Sequence, residues 1–119
     1  MATVELNAAN FESTVNSSDI VFVDFWASWC GPCRMFAPVY EKAAAAHSDI
    51  VFGKVDTEAE RELASAAQIT SIPTLMAFKG GTPVFSQPGA LPAAALERLI
   101  TAVRDLDIEA ALAEQKRSA

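Results

Sequence analysis

Residues Ile20–Trp26 form a run of β-branched and aromatic side chains, IVFVDFW, interrupted by a single carboxylate. This run predicts a strand buried on both faces, because a strand with one solvated face alternates apolar and polar residues. A strand of this kind lies inside a sheet whose two faces are covered by helices. The run therefore restricts the chain to folds in which helices sandwich a central sheet.

Short apolar patterns separated by turn residues predict the remaining elements. Strands are predicted at residues 3–6, 50–55, 74–78 and 82–86, and helices at residues 10–17, 33–47, 58–67 and from 92 onward. Early strands separated by helices pair in parallel, whereas Gly80-Gly81 predicts a tight antiparallel hairpin between the last two strands. We therefore expect an α/β fold with a mixed central β-sheet of about five strands, flanked by about four helices.

Length and charge restrict the domain count and the class of partner. The 119 residues predict one domain, which we place at residues 1–106, followed by a charged, alanine-rich helical or flexible tail at residues 107–119. A net charge of −6 argues against nucleic-acid binding, which needs a basic surface. Because no segment resembles a secretory signal or a membrane span, we expect a cytoplasmic protein without membrane contact. The default expectation for its oligomeric state is a monomer.

The chain has two cysteines, Cys30 and Cys33, and one histidine, His47. These residues are one ligand short of a closed tetrahedral zinc site, and we expect neither a metal nor a bound cofactor. A purely structural disulfide is also disfavoured, because closing so short a loop removes little chain entropy. The spacing favours a redox-active Cys30–Cys33 disulfide over these two alternatives.

The two cysteines lie where the buried strand gives way to a helix, and this placement predicts different roles for them. Cys30 is expected at or just before the first helical residue, where unpaired N–H groups and the helix dipole lower the pKa of its thiol. Cys33, one turn further in, should be more buried and keep a higher pKa. Because the thiolate is the nucleophile in disulfide exchange, we expect Cys30 to attack and Cys33 to resolve the mixed disulfide.

Asp24 stands in the middle of the buried run. Burial of a carboxylate without a partner costs several kcal/mol unless the group is protonated, so a raised pKa is expected. A carboxyl group with a raised pKa beneath the cysteine helix suits a proton acceptor for Cys33. The alternative is a solvated aspartate on an edge strand. Lys54, in the next strand, either supports Asp24 by pairing with it or is an ordinary strand-end lysine.

Residues 26–33, WASWCGPC, resemble the active-site signature of the thioredoxin family. The similarity covers roughly residues 3–106 and includes residues 22–25, 35, 37–38, 54–56, 72–75, 78–79 and 89–91. It implies a thioredoxin fold and a protein-disulfide reductase acting on disulfide-containing proteins. It also implies an NADPH-dependent thioredoxin reductase as the electron donor.

The resemblance further implies roles that spacing alone leaves open. Pro73 matches the cis-proline that lies beside the cysteines in this family, and the backbone of Ile72 would pair with the bound substrate segment. A flat, mostly apolar patch around the attacking sulfur would contain Trp29, Gly31, Pro32, Ile72, Pro73, Gly89 and Ala90. Such a patch suits weak and varied protein partners.

Three classes of function fit these residues. The first is a reductase, favoured because Gly-Pro between the cysteines, here Gly31-Pro32, is typical of the reducing members of the family. The second is an oxidase or isomerase on the same fold, which usually carries a histidine between its cysteines. The third is a partner-binding module in which the cysteines are incidental.

Two departures from the family pattern, Arg34 for a common lysine and Thr70-Ser71 for an Arg-Gly pair, bear on the choice of partner.

Overall fold

A computed structural model describes residues 2–118. Within these residues the chain forms five strands and five helices. The strands are β1 (Val4–Glu5), β2 (Ile20–Trp26), β3 (Val51–Asp56), β4 (Thr74–Lys79) and β5 (Thr82–Pro88). The helices are α1 (Phe11–Ser17), α2 (Gly31–Ala46), α3 (Arg61–Ala66), α4 (Ala93–Asp105) and α5 (Ile108–Ser118). None of these helices is long and apolar enough to cross a membrane.

The five described strands form one mixed sheet in the order β1-β3-β2-β4-β5. Strands β1 and β2 run parallel to β3, while β4 runs antiparallel to both β2 and β5. The predicted α/β fold with a mixed sheet is confirmed, and β2 is its central strand. The structure has five helices rather than the predicted four. The additional helix, α5, lies in the segment that we expected to be a helical or flexible tail.

Apolar side chains cover both faces of the sheet, and β2 contributes to both layers. Ile20 and Phe22 belong to a cluster that includes residues of α2 and α4. Val21 and Val23 belong to a second cluster, which includes residues of α1 and α3. Because successive strand residues point to opposite faces, Asp24 shares the face of Phe22 and lies on the α2 side of the sheet.

The hairpin between β4 and β5 has the predicted two-residue turn. Gly80 and Gly81 have φ values of +59° and +80°, and Lys79 pairs with Thr82 across the turn. Positive φ at both central positions is the pattern of a type I′ turn, which glycine adopts without steric cost. The turn places β5, and with it Gly89 and Ala90, at the same edge of the sheet as the start of β4.

Two helix starts differ from the prediction by more than one residue, each for a local reason. Helix α3 begins at Arg61, three residues after the predicted start, because the Asp56 carboxylate accepts hydrogen bonds from the backbone N–H groups of Glu58 (2.9 Å) and Ala59 (3.4 Å). This side-chain turn competes with helix formation. Helix α2 begins at Gly31, two residues early, because Pro32 is accommodated in a first turn.

Lys79 joins the sheet to the end of α4. Its Nζ donates hydrogen bonds to the carbonyl oxygens of Val103 (2.8 Å), Arg104 (2.7 Å) and Leu106 (2.8 Å). These carbonyls lie at the C-terminus of α4, where the helix dipole favours a cation and where intrahelical partners are missing. The lysine therefore stabilises both the last turn of α4 and its junction with α5.

Replacement of Lys79 by methionine should lower the free energy of unfolding by about 1–2 kcal/mol, since it removes charge-assisted hydrogen bonds but keeps most of the aliphatic stem. Urea unfolding monitored by circular dichroism measures the change. Lys42→Met, at an exposed position on α2, is the matched control and should stay within about 0.5 kcal/mol of the wild type. Equal stabilities for the two variants would contradict a capping role for Lys79.

Candidate active site

The Cys30–Cys33 pair lies at the N-terminus of α2 and is joined by a disulfide, with the two Cα atoms 5.2 Å apart. Cys30 is the N-cap residue, as expected, and its backbone is extended with ψ at 113°. The backbone N–H of Cys33 donates to the Cys30 sulfur at 3.2 Å. The exposed Pro32 occupies the first turn between the two cysteines. Proline is tolerated there because backbone N–H groups of the first turn have no partner within the helix. The Cys30 sulfur thus accepts a hydrogen bond from an N–H that has no acceptor within the helix.

The expected difference in burial between the cysteines is very small in this disulfide form. Cys30 is 4% exposed and Cys33 is 3% exposed, so in this state Cys33 is the more buried cysteine only by a margin too small to distinguish their roles. The reason is that the covalent bond holds both sulfurs in one small cluster, against Ala27, Trp26 and Ile72. The asymmetry between the two cysteines lies instead in the hydrogen bond that Cys30 receives.

The peptide bond between Ile72 and Pro73 is cis, as the resemblance implies. The Ile72 carbonyl oxygen lies 3.8 Å from the Cys30 sulfur, so this loop is in contact with the cysteine pair. The N–H of Gly89 donates to the Pro73 carbonyl oxygen at 2.8 Å, which ties the end of β5 to the same loop. Gly89 adopts φ of +106°, a conformation that favours glycine. The structure therefore joins Gly89 to the Ile72-Pro73 loop, which contacts Cys30 through Ile72, and the exposed Ala90 is next in the chain.

Trp29 is 65% exposed although it directly precedes a buried cysteine. It borders a groove of about 360 Å³. The groove is lined by Trp29, Thr57, Ala64, Ile69, Thr70, Ser71 and Ile72. These side chains are apolar or carry hydroxyl groups, so the groove offers hydrogen bonds without charge. Sequence reasoning missed Thr57, although its position directly after β3 places it at the same sheet edge as the end of β2.

Asp24 is fully buried in the central strand, and neither of its carboxylate oxygens has a hydrogen-bond partner within residues 2–118. Burial raises the pKa of Asp24 to about 7, and the charge of Lys54 opposes this rise. The alternative of a solvated aspartate on an edge strand was wrong, because β2 is the central strand of the sheet. Asp24 can therefore gain or lose a proton near neutral pH beneath the helix that carries the cysteines.

Lys54 lies opposite Asp24 in the pairing of β2 with β3. Among the described residues it forms no ion pair with Asp24, and its Nζ lies 5.1 Å from the centroid of the Trp26 ring instead. The indole N–H of Trp26 is buried and, like the Asp24 carboxylate, lacks a partner in this part of the chain. Lys54 thus acts on Asp24 through its charge rather than through a direct contact.

His47 lies at the opposite end of α2 from the cysteines, where it is the C-cap residue and its Nε2 lies 2.8 Å from the Glu97 carboxylate. It is therefore not part of the cysteine site. Within residues 2–118, no group of three or more histidine, cysteine, aspartate or glutamate side chains is placed to hold a metal ion.

Comparisons with known proteins agree with this geometry. The thioredoxin family model matches residues 2–102. A Streptomyces coelicolor protein assigned as thioredoxin 2 is 56% identical over 121 residues, covering 99% of this chain and 90% of that protein. A thioredoxin of Alicyclobacillus acidocaldarius is 47% identical over 97 residues, covering 81% of this chain and 92% of that protein. The solved structure of Plasmodium falciparum thioredoxin superimposes with a TM-score of 0.78 at 37% identity, over 83% of this chain and 97% of that one. The chain belongs to the thioredoxin family, whose members are protein-disulfide oxidoreductases.

Proposed function

We propose that this protein reduces disulfides in other proteins, with Cys30 as the attacking cysteine and Cys33 as the resolving cysteine. The observation that carries the assignment is the hydrogen bond of 3.2 Å from the Cys33 N–H to the Cys30 sulfur. This donor and the positive end of the α2 dipole both favour the thiolate of Cys30 once the disulfide is reduced. The sulfur of Cys33 lies within the first turn and receives no corresponding contact among the described hydrogen bonds.

The exchange then proceeds in two displacements. The Cys30 thiolate attacks one sulfur of the substrate disulfide, forms a mixed disulfide, and expels the other substrate sulfur as a thiolate that takes up a proton. Cys33 loses its proton and attacks the Cys30 sulfur, which restores the Cys30–Cys33 disulfide and releases the second substrate thiolate. The substrate gains two electrons and two protons, and the cysteine pair loses them.

Asp24 is the proposed acceptor of the Cys33 proton. It lies on the α2 side of the sheet, it has no competing hydrogen-bond partner in the described chain, and its pKa of about 7 suits proton exchange at neutral pH. Lys54 would limit the rise of that pKa through its charge.

Substrate contact is proposed for Trp29, Ile72, Pro73, Gly89 and Ala90. The contact of Ile72 with the Cys30 sulfur and the hydrogen bond between Gly89 and Pro73 support this surface, because together they hold this loop and the end of β5 beside the attacking sulfur. Gly31 and Pro32 would complete the surface on the α2 side. An extended substrate segment could pair with the backbone of this loop, as strands added to an open edge do.

We place the active domain at residues 1–106 and leave the tail, residues 107–119, outside it. The family match to residues 2–102 and the end of α4 at Asp105 support this boundary. The proposed electron donor is an NADPH-dependent thioredoxin reductase, and the proposed compartment is the cytoplasm, where a dithiol is kept reduced. Gly31-Pro32 between the cysteines favours the reducing direction over an oxidase or isomerase.

Reduction of insulin tests the proposal. With dithiothreitol as electron donor, micromolar protein should shorten the lag before the insulin B chain precipitates, because disulfide exchange through Cys30 outpaces direct reduction. Turbidity measures the rate, and Cys30→Ser is the matched control. A wild-type rate no higher than that of dithiothreitol alone would contradict the proposed function.

A further inference from the structure

Arg34 directly follows the resolving cysteine, and its side chain reaches back to the loop that precedes the attacking cysteine. Its guanidinium Nη1 donates a hydrogen bond to the Ser28 carbonyl oxygen at 2.9 Å. Its backbone N–H donates to the Cys30 carbonyl oxygen at 3.2 Å. Arg34 therefore contacts both ends of the segment Ser28-Trp29-Cys30.

This segment is a tight turn between β2 and α2. The N–H of Cys30 donates to the Ala27 carbonyl oxygen at 3.2 Å, so that Ser28 and Trp29 occupy the middle of the turn. The Ser28 carbonyl belongs to the peptide plane that joins these two residues. A donor held on that carbonyl resists rotation of the plane. The plane sets φ of Trp29, and the rotamers open to a side chain depend on its backbone φ and ψ.

Trp29 depends on such backbone support because packing does little to orient it. Its side chain is 65% exposed, and it borders the groove beside Ile72. A large aromatic side chain in contact with solvent samples several rotamers, and it samples fewer of them when its backbone φ and ψ are held. The orientation of Trp29 is therefore sensitive to the hydrogen bond that Arg34 provides.

We propose that Arg34 is a positioning residue for substrate recognition, which holds the Ser28 carbonyl and thereby orients Trp29 beside Cys30. The inference rests on the proposed reductase function. Arginine suits this task better than lysine, because its planar guanidinium can hold the carbonyl with one N–H and still present other donors to a partner carboxylate. Arg34 is also the one charged residue in the sequence between Asp24 and Glu41, so its charge has no neighbour along the chain to compensate it.

Two substitutions separate the hydrogen bond from the charge. Arg34→Met removes both, and Arg34→Lys keeps the charge on a more flexible stem with a single donor group. For Arg34→Met we expect about a three- to tenfold rise in the KM for insulin, the range of one ordinary hydrogen bond because this one is exposed, with little change in the rate toward a small aromatic disulfide. Arg34→Lys should show a smaller rise. Lys42→Met, further along the same helix, is the control for loss of one positive charge.

The heteronuclear NOE of the Trp29 indole N–H supplies a readout independent of activity. We expect it to fall in Arg34→Met, and the rise in KM to persist at about 0.5 M NaCl, where interactions between exposed charges are screened. The positioning role would be overturned if the Trp29 NOE of Arg34→Met equalled that of the wild type, or if the rise in KM disappeared at high salt. If the wild-type protein itself failed to reduce insulin, the proposed function would fail while the NOE still decided whether Arg34 holds Trp29.

Discussion

Cys33→Ser is expected to accumulate a stable mixed disulfide with its protein substrates, while Cys30→Ser forms none and loses at least about 10³-fold in reductase activity. The physical reason is the asymmetry at the start of α2. The sulfur that accepts the Cys33 N–H is stabilised as the thiolate and can attack a substrate. Serine at position 33 cannot attack the Cys30 sulfur, so the first displacement is completed and the second is not.

Non-reducing electrophoresis followed by mass spectrometry detects the trapped species and identifies the cysteine that carries it. Insulin or a cell extract supplies the substrate disulfides, and Cys30→Ser/Cys33→Ser is the control for non-specific capture. The covalent link should map to Cys30 and should disappear on addition of dithiothreitol. The assigned roles would be reversed if the Cys30→Ser protein formed the mixed disulfide through Cys33, in the amount that we expect of the Cys33→Ser protein.

The central strand and the cysteine site follow from short stretches of sequence. IVFVDFW predicts β2 because six of its seven successive residues are β-branched or aromatic, and such a run is stable only when both faces of the strand are buried. The position of Cys30 at the start of α2 follows from the same boundary. The turn at Gly80-Gly81 is equally local, since its two residues meet the conformational demand by themselves.

Features that join distant segments were not predictable in this way. Thr57 borders the groove only because the end of β3 lies beside the end of β2, and Lys79 reaches the end of α4 across a gap of more than twenty residues. The Lys79 contact leaves no pattern in the local sequence, and the Thr57 contact is indicated only by the position of Thr57 directly after β3. The nearly equal burial of the two cysteines also escaped prediction, because it depends on whether the disulfide is formed.

Asp24→Asn is expected to stabilise the oxidised protein at alkaline pH and to have no such effect in acid. Asp24 has a pKa of about 7 in the folded protein, against an ordinary value of 3.8. Below pH about 4 it is protonated in both the folded and the unfolded states, so it contributes no pH-dependent difference. Between pH about 4 and about 7 only the unfolded state releases the proton, so the free energy of unfolding falls as the pH rises, by up to about 4 kcal/mol. Above pH about 7 the loss is complete and constant.

Asparagine removes this loss, so the variant should gain stability over the wild type as the pH rises and lose the advantage as it falls toward pH about 4. Urea unfolding of the disulfide form at both ends of this range measures the difference. Asp19→Asn, at an exposed position directly before β2, should remain within about 0.5 kcal/mol of the wild type throughout. An Asp24→Asn protein with a constant stability difference across the range would show that Asp24 does not carry the raised pKa.

The same substitution tests the proton transfer, because asparagine keeps the shape of the side chain and cannot accept a proton. Resolution of the mixed disulfide should slow by about 10²-fold, the lower end of the range for loss of a general base, while formation of the mixed disulfide and the KM for insulin change little. Stopped-flow tryptophan fluorescence separates the two steps. In the wild type the rate of resolution should rise as Asp24 ionises near pH 7, and in the variant that rise should be lost. Identical pH profiles for the two proteins between pH about 6 and about 9 would remove Asp24 from the mechanism and leave Cys33 to lose its proton directly to solvent.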